Sequence, residues 1–239
     1  MVSELPVDVI PLPGQEPLKL TNDGKLELFF IGVGSAFATE HFQTNFLIVK
    51  GDNHILVDFG MTGPQALLET AGLRPLDIQV ILPTHSYADH IGGIECLGLL
   101  HRYVGRRMGK PKPICIIEEN YQRVLWGYSL QGGMSWNEEE VETRRALTFS
   151  DFFDVVRPKW MPSQPREVFE IHFGGIHLEI FRTNHIPDSA LDWQKSFVSY
   201  GLFIDGHIFV SVDTRFDPQL IRMYADRSDV MFHDVQFFP

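Results

Sequence analysis

Residues 80–93 read VILPTHSYADHIGG, and they contain the strongest indication of the fold in the chain. The apolar run from Ile78 to Leu82 predicts a buried strand, and a helical pattern begins at Ile94. Between them lie two histidines, an aspartate and a tyrosine, followed by paired glycines. A turn from strand to helix lets several side chains converge on one point, as a metal site requires. Histidine together with aspartate suits zinc or a similar divalent ion.

Length and composition indicate an ordinary soluble globular protein. The 239 residues suffice for one α/β domain with a substantial core, with 44% hydrophobic and 21% charged residues. The sequence has no window near the roughly 18 apolar residues of a membrane span, so no membrane association is expected. The net charge of −11 argues against non-specific binding of nucleic acid. Cys96 and Cys115 are too few for a disulfide framework, which favours a reducing cytoplasm.

Strands and helices alternate in the predicted pattern, which favours a layered α/β sandwich. Strands are predicted at Leu26–Gly32, Asn45–Lys50, His54–Phe59, Ile78–Leu82, Pro113–Glu118, Val168–Phe173, His177–Arg182, Phe197–Ile204, His207–Val212 and Asp229–Val235. Helices are predicted at Gly63–Gly72, Gly93–Arg107, Asn120–Leu130 and Pro218–Ala225. Two short polar segments, residues 51–53 and 205–206, are predicted hairpin turns.

Residues 131–166 interrupt this alternation with paired glycines, an acidic run and several aromatic side chains. The aromatic residues are Trp136, Phe149, Phe152, Phe153 and Trp160. Two interpretations are open: a lid or dimer surface, and a helical excursion packed on the core. We therefore predict one domain, residues 1–239, with an inserted flap or excursion at about 131–166.

Three more polar residues lie at or near the ends of later predicted strands: His185, Asp213 and His233. A lone histidine at a strand end is more often a hydrogen-bonded core or rim residue. The order along the chain favours a functional role, because His185 comes about 95 residues after the histidine-rich turn. Asp213 then follows in a Ser-x-Asp-Thr context.

Several of these motifs resemble those of the metallo-β-lactamase superfamily. Residues 85–90, HSYADH, resemble its His-x-His-x-Asp-His signature. Three further motifs are similar to motifs of one branch of this superfamily. They are the Gly-x-Gly-Ser-Ala turn at 32–36 after the first strand, SVDT at 211–214 and FHD at 232–234. That branch contains tRNA 3′-processing endonucleases (tRNase Z) and small cyclic-nucleotide phosphodiesterases. The resemblance implies an αββα sandwich, with two mixed β-sheets between helices.

The resemblance also implies two divalent ions, Zn²⁺ foremost and Mn²⁺ as a second candidate. The implied ligands are His85, Asp89, His90, His185 and Asp213. Asp213 would bridge the two ions, and Asp58 would support the ligands from behind. Asp89 and His233 are the implied catalytic residues, with His233 protonating the leaving oxygen. An imidazole suits proton transfer near neutral pH.

Two features depart from the superfamily pattern. Tyr87 stands where the signature has its second ligand histidine, and a phenol keeps its proton up to about pH 10. One metal site is therefore expected to be weak, to hold another ion or to be empty. Similar family members continue beyond the position of Pro239 to a last ligand histidine, so we expect either an incomplete C-terminus or a ligand from another chain.

The leading hypothesis is a metal-dependent phosphodiesterase that uses a metal-activated hydroxide. Its expected substrate is a small phosphodiester such as a cyclic nucleotide, or an RNA 3′ end. The acidic charge and the lack of a Gly/Lys-rich arm favour the small substrate. One alternative is an acyl hydrolase of the same fold, a lactonase or thioesterase. Another is a metal-poor, non-catalytic homologue that lost activity through Tyr87. A cytoplasmic homodimer is expected.

Overall fold

The structure is a computed structural model that describes residues 16–136, 145–187 and 189–235. The chain divides into two compact units: an N-terminal unit, Pro17–Pro158, and a C-terminal unit that begins at Lys159. Each unit contains a mixed sheet of six strands. Over the described ranges, every helix is too short or too polar to cross a bilayer.

The sheet of the N-terminal unit follows chain order from edge to edge. Its strands are β1 (Glu27–Gly32), β2 (Asn45–Lys50), β3 (Asn53–Val57), β4 (Val80–Leu82), β5 (Ile114–Ile116) and β6 (Asp154–Val156). The first three strands pair antiparallel, which confirms the predicted hairpin at 51–53. The strands from β3 to β6 pair in parallel. The sequence patterns did not predict β6, a strand of only three residues.

The helices of this unit are short, and several continue into tighter or wider turns. They are α1 (Gly63–Ala71), α2 (Ala88–Ile91), α3 (Ile94–Leu100), α4 (Glu119–Leu125), α5 (Gln131–Met134) and α6 (Phe149–Phe152). The predicted helix over Gly93–Arg107 has the expected extent, but a π-helical turn, His101–Gly105, continues α3. A second π-helical turn, Trp126–Leu130, joins α4 to α5. Apolar periodicity gives the length of these helices and does not distinguish α from π turns.

The interrupting segment at 131–166 contributes to both sheets, since β6 lies in one and β7 (Lys159–Trp160) in the other. Phe149, Phe152 and Phe153 are buried, whereas Trp136 and Trp160 are exposed. The acidic residues at 138–142 lie outside the described ranges. The lid and dimer-surface interpretations stay predictions.

The C-terminal unit is a mostly antiparallel sheet covered by one helix. Its remaining strands are β8 (Val168–Phe173), β9 (Ile176–Arg182), β10 (Tyr200–Ile204), β11 (Ile208–Val210) and β12 (Val230–Phe232). The helix α7 (Pro218–Tyr224) begins at Asp217, whose side chain accepts hydrogen bonds from the amides of Gln219 and Leu220. Leu220 and Tyr224 belong to a fully buried apolar cluster with Phe181 and Phe203. The predicted turn at 205–206 joins β10 to β11.

Strand direction explains why polar residues distant in sequence lie at common sheet edges. In the N-terminal unit β3 and β4 are parallel, so the residues that follow them share an edge. In the C-terminal unit β9 and β11 are both antiparallel to β10, and β12 is parallel to β11. Their carboxyl ends therefore share an edge, where His185, Asp213 and His233 follow the strands. Ligand sites of α/β sheets commonly lie outside such ends.

Candidate metal centre

The histidine-rich turn of the N-terminal unit is held against the loop that follows β3. The amide of Phe59 donates to the His90 carbonyl at 2.7 Å, and the amide of Gly93 donates to the Phe59 carbonyl at 2.7 Å. A Cβ atom at Gly60 would lie 1.9 Å from the Asp89 carbonyl oxygen. Only glycine permits this approach, so the paired glycines and Gly60 let the two loops bond to each other.

Asp58, directly after β3, is a buried hub behind the histidines. Its Oδ1 accepts the Thr84 amide and its Oδ2 accepts the Thr84 hydroxyl, both at 2.7 Å. The same Oδ2 accepts Nδ1–H of His90 at 2.7 Å. Because the Thr84 hydroxyl donates its one proton to Asp58, it accepts from Nδ1–H of His85 at 3.1 Å.

This hub sets the tautomer of both imidazoles. Each carries its proton on Nδ1, so Nε2 is the nitrogen with the lone pair that a metal needs. The two rings lie 4.0 Å apart between centroids, and Nε2 of His90 lies 3.3 Å from Oδ2 of Asp89. All three side chains are buried. Two neutral imidazoles beside a carboxylate are a donor set that fits zinc or a similar divalent ion.

The position of Asp58 has a conformational and an electrostatic cost. Its φ of 58° lies in the left-handed region, which aspartate tolerates better than most residues. Burial raises the pKa of the Asp58 carboxyl, while the electrostatic attraction to His90 and the hydrogen bonds from His90 and Thr84 oppose that rise. These bonds are what allow a carboxylate to remain in a dry environment.

Tyr87 lies beside the first histidine of the motif. Its ring packs edge-on against His85, with 5.2 Å between centroids and 62° between planes. Its backbone begins α2, since the Tyr87 carbonyl accepts the amides of His90 and Ile91 at 2.9 Å. The tyrosine therefore stands at the ligand position of the motif, and its carbonyl forms the first hydrogen bonds of α2.

In the C-terminal unit, His185 and Asp213 lie close together at the shared strand edge. Nε2 of His185 is 3.8 Å from Oδ2 of Asp213, and both side chains are partly exposed. The His185 amide donates to the Ser196 hydroxyl at 2.8 Å. The Thr183 hydroxyl donates to the Asp213 carbonyl at 3.0 Å. Backbone bonds and short polar side chains thus hold both residues.

Arg215 joins the two loops that carry His185 and Asp213. Its amide donates to the Asn184 carbonyl at 2.9 Å, and its guanidinium donates to Oδ1 of Asn184 at 2.8 Å and to the Ala190 carbonyl. Val212, directly before Asp213, has a φ of 50°. A β-branched residue there costs about 1–3 kcal/mol, and such strain is concentrated at functional sites.

His233 follows β12 at the same edge. Its Nδ1–H donates to the Asp234 carbonyl at 2.7 Å, which leaves Nε2 to act on a substrate. That Nε2 is buried and has no hydrogen-bond partner within the described residues. Burial raises the pKa of the Asp234 carboxyl, and the nearby charge of Asp213 raises it further. Asp234 therefore belongs to this cluster of charged groups.

Each unit gathers the predicted residues that it contains. The N-terminal unit brings together His85, Asp89 and His90, and the C-terminal unit brings together His185 and Asp213. The sequence motifs did not predict roles for Thr84, Arg215 or the carboxylate of Asp234. Thr84 and Asp234 directly adjoin predicted residues, so adjacency was an available signal. Arg215 offered none, because its role depends on a loop about 30 residues earlier.

Comparison with known proteins identifies close sequence relatives. The family model of anti-Pycsar protein Apyc1 matches residues 26–239. The chain is 35% identical over 213 residues to an anti-Pycsar protein Apyc1 of Paenibacillus sp. (strain J14), covering 88% of this chain and 77% of that protein. A protein of the same name from Bacillus phage BSP38 is 31% identical over 220 residues, with 89% and 77% covered.

Solved structures confirm the predicted fold. The metallo-β-lactamase fold protein YhfI from Bacillus subtilis has a TM-score of 0.56 at 17% identity, covering 83% of this chain and 67% of that one. Human tRNase Z, short form, has a TM-score of 0.54 at 15% identity, covering 85% and 76%. The chain therefore has the metallo-β-lactamase fold, which is the fold that the resemblance in sequence implied.

Proposed function

The chain belongs to the anti-Pycsar protein Apyc1 family, and from this membership and the chemistry of its histidine–aspartate clusters we propose that it hydrolyses a cyclic nucleotide. It is a phosphodiesterase-like hydrolase of the metallo-β-lactamase fold. The name of the relatives says that they oppose Pycsar. We propose that this chain also opposes Pycsar, and that it does so by cleaving a cyclic nucleotide. An RNA 3′ end is the less favoured substrate.

The observation that carries the proposal is the hub at Asp58. One buried carboxylate holds His90 directly and His85 through Thr84, so both imidazoles present Nε2. A histidine whose second nitrogen is bonded to a carboxylate is the usual arrangement of a metal ligand. This arrangement in a dry setting supports metal chemistry over a purely structural pair.

We assign the metal ligands to the five predicted residues. They are His85, Asp89, His90, His185 and Asp213. Two zinc ions are the proposed complement, and Tyr87 is assigned no ligand role. Divalent ions in such a setting supply hydroxide at neutral pH and neutralise charge on a phosphoryl group.

The residues of the chain then have distinct roles in cleavage. A water oxygen forms a bond to phosphorus, and the bond from phosphorus to one ribose oxygen breaks, which opens the cyclic phosphodiester. Asp89 accepts a proton from the attacking water. His233 acts in its doubly protonated form: it donates the Nε2 proton to the departing ribose oxygen, and the Asp234 carbonyl holds the ring in place through Nδ1–H. The product is a nucleoside monophosphate.

A substrate panel tests the reaction class. The purified chain is saturated with Zn²⁺ or Mn²⁺ and given 3′,5′- and 2′,3′-cyclic nucleotides, a tRNA precursor, a lactone and a thioester. We expect turnover of a cyclic nucleotide to exceed that of every other substrate. Faster turnover of the lactone or thioester would favour the acyl-hydrolase alternative, and preference for the precursor would favour RNA processing.

Ligand variants test the site. His85→Gln and Asp213→Asn are each expected to lower kcat/KM by at least about 100-fold, because even partners one step removed from a metal cost up to that much. The matched control is His207→Gln, a surface histidine whose Nδ1 lies 3.2 Å from Asp229. The control should retain full activity. Activity that survives in both ligand variants would contradict the assignment.

Tyr87→His tests the non-catalytic alternative. A histidine restores the superfamily signature. If Tyr87 alone weakens metal binding, this variant should bind metal more tightly and turn over substrate faster than wild type. Metal analysis of the wild-type chain is the matching measurement. A content below about one ion per chain, with no turnover, would favour a binding protein over an enzyme.

A further inference from the structure

A second group of metal-binding side chains lies on the hairpin formed by β8 and β9. We propose that Glu170, His172 and His177, the hairpin cluster, bind one divalent transition-metal ion such as Zn²⁺. Nitrogen or oxygen atoms of all three residues lie within 4.8 Å of one another. This site is additional to the candidate metal centre and belongs entirely to the C-terminal unit.

The strand register places the three side chains on one face of the hairpin. His172 pairs directly opposite His177, across a two-residue turn at 174–175. Glu170 precedes His172 by two positions, so both point to the same side of β8. Glu170 and His177 are diagonal neighbours across the two strands, a separation that long side chains span. The backbone therefore preorganises the cluster.

The three side chains of the cluster already contact one another, so a metal ion could bind between their nitrogen and oxygen atoms with small side-chain rotations. Nε2 of His177 lies 2.9 Å from Oε1 of Glu170. The rings of His172 and His177 stack with 4.3 Å between centroids and 24° between planes. Donor atoms around a tetrahedral zinc ion lie about 3.3 Å apart, given bonds of about 2.0–2.1 Å. His172 is exposed, so its ring can turn its nitrogen toward Glu170 and His177.

The donor chemistry favours a borderline metal over calcium or magnesium. Two imidazoles suit Zn²⁺, Cu²⁺ or Ni²⁺, whereas calcium and magnesium prefer sites built from oxygen ligands. Three protein donors leave at least one position for water. Because His172 is exposed and Glu170 and His177 are partly exposed, we expect a weaker affinity than at the buried histidines of the N-terminal unit.

The hairpin cluster and His185 lie toward opposite ends of the same strand. His177 is the second residue of β9. The last residue of this strand is Arg182, and His185 lies three residues beyond it. From His177 to Arg182 the strand advances about 17 Å. A metal at the hairpin cluster is therefore too far from His185 to share it as a ligand. The two sites can be counted separately.

Metal counting in the full chain tests the proposal. Wild type, His172→Gln and His177→Gln are equilibrated at buffered free Zn²⁺ concentrations, and metal per chain is measured by elemental mass spectrometry. Each substitution should weaken the binding of one zinc ion by at least about tenfold. At the free Zn²⁺ concentration that just saturates wild type, either variant should therefore contain less zinc per chain than wild type. In NMR spectra, the ring signals of His172 and His177 should shift as this ion binds.

His207→Gln is the matched control, because His207 is a surface histidine near one carboxylate and, among the described residues, belongs to no three-residue cluster. It should bind as much zinc as wild type. Catalytic activity of all three variants should also equal that of wild type. Equal zinc content in wild type and both cluster variants overturns the proposal. An equal loss in His207→Gln, which would indicate non-specific surface binding, overturns it as well.

Discussion

The two groups of predicted ligands, one in each unit, are constructed differently. In the N-terminal unit, His85, Asp89 and His90 come from six consecutive residues, and one carboxylate, Asp58, orients both imidazoles. In the C-terminal unit, His185 and Asp213 follow different strands and are held by bonds between loops. The N-terminal group depends on one buried hub, and the C-terminal group on many small contacts.

Burial sharpens this difference. The His85 and His90 residues are almost fully buried, at 0% and 2% exposure, whereas the side chains of His185 and Asp213 are 15% and 26% exposed. A polar group left unbonded in a dry site costs about 1–3 kcal/mol, and one that water can reach costs less. Single changes should therefore damage the N-terminal group of predicted ligands more than the C-terminal group.

The largest effect is expected from Asp58→Asn. An amide at position 58 offers one acceptor oxygen where the carboxylate offers two, and it adds an N–H₂ group that faces donors from Thr84 and His90. Both imidazoles lose their common orientation. Zinc affinity should fall about 100-fold, as measured against a competing chelator.

Asp205→Asn is the control for that change, since Asp205 also has a positive φ, of 50°, and lies at the β10–β11 turn. It contacts none of the five predicted ligands through the hydrogen bonds described for it. Its zinc affinity, measured against the same chelator, and its kcat/KM should match those of wild type. If Asp58→Asn also keeps its zinc affinity, the hub does not orient the ligands.

Mild acid should destabilise the N-terminal unit through His54. The Gln79 amide donates to Nε2 of His54 at 3.0 Å, so the ring must be neutral there, and burial lowers the pKa of His54 from 6.5 to about 4. Its contribution to stability is complete above pH 6.5 and declines as the pH falls toward about 4. At about pH 5 the loss is about 2 kcal/mol. Urea unfolding at about pH 7 and about pH 5 measures it.

The stability of the C-terminal unit should depend less on pH in mild acid than that of the N-terminal unit. Burial would raise the pKa of Asp217, but bonds from Arg166 and from the amides of Leu220 and Gln219 outweigh burial and lower it. Its contribution is present above the ordinary aspartate pKa of 3.8 and is lost only as the pH falls below that value.

Hydrogen exchange at about pH 5 should therefore show the loss of stability in the N-terminal unit. His54→Gln should reduce the pH dependence, and an unchanged slope would contradict the role of His54.

A smaller effect is expected from Arg215→Lys. A lysine keeps the charge but cannot bond Asn184 and the Ala190 carbonyl with one planar group. The loops around His185 and Asp213 should loosen, with kcat/KM about tenfold lower, equivalent to about 1.4 kcal/mol. Arg222→Lys, on an exposed position of α7, is the matched control. Equal kinetics in the two variants would show that the loops hold without Arg215.

The helix and strand positions were predicted mostly from short-range patterns. The predictions therefore match the structure where an element depends on its neighbours in the chain. Alternating apolar residues and turn signals located β2, β3, β10 and β11 with their hairpins, because both depend on neighbours in the chain. The same patterns missed β6 and α6, which are three and four residues long. Segments so short adopt their structure from the sheet or core that they join, rather than from their own periodicity.

The amino-acid sequence alone determined the histidine-rich turn and the strand-end residues, because a short turn between a strand and a helix brings its side chains together. The tertiary structure alone decided that Asp58 orients both imidazoles, that Arg215 joins two loops, and that His172 faces His177. Each of these contacts needs the register of strands or loops brought together by the fold. That register is set by packing over the whole sheet, which local residue patterns do not encode.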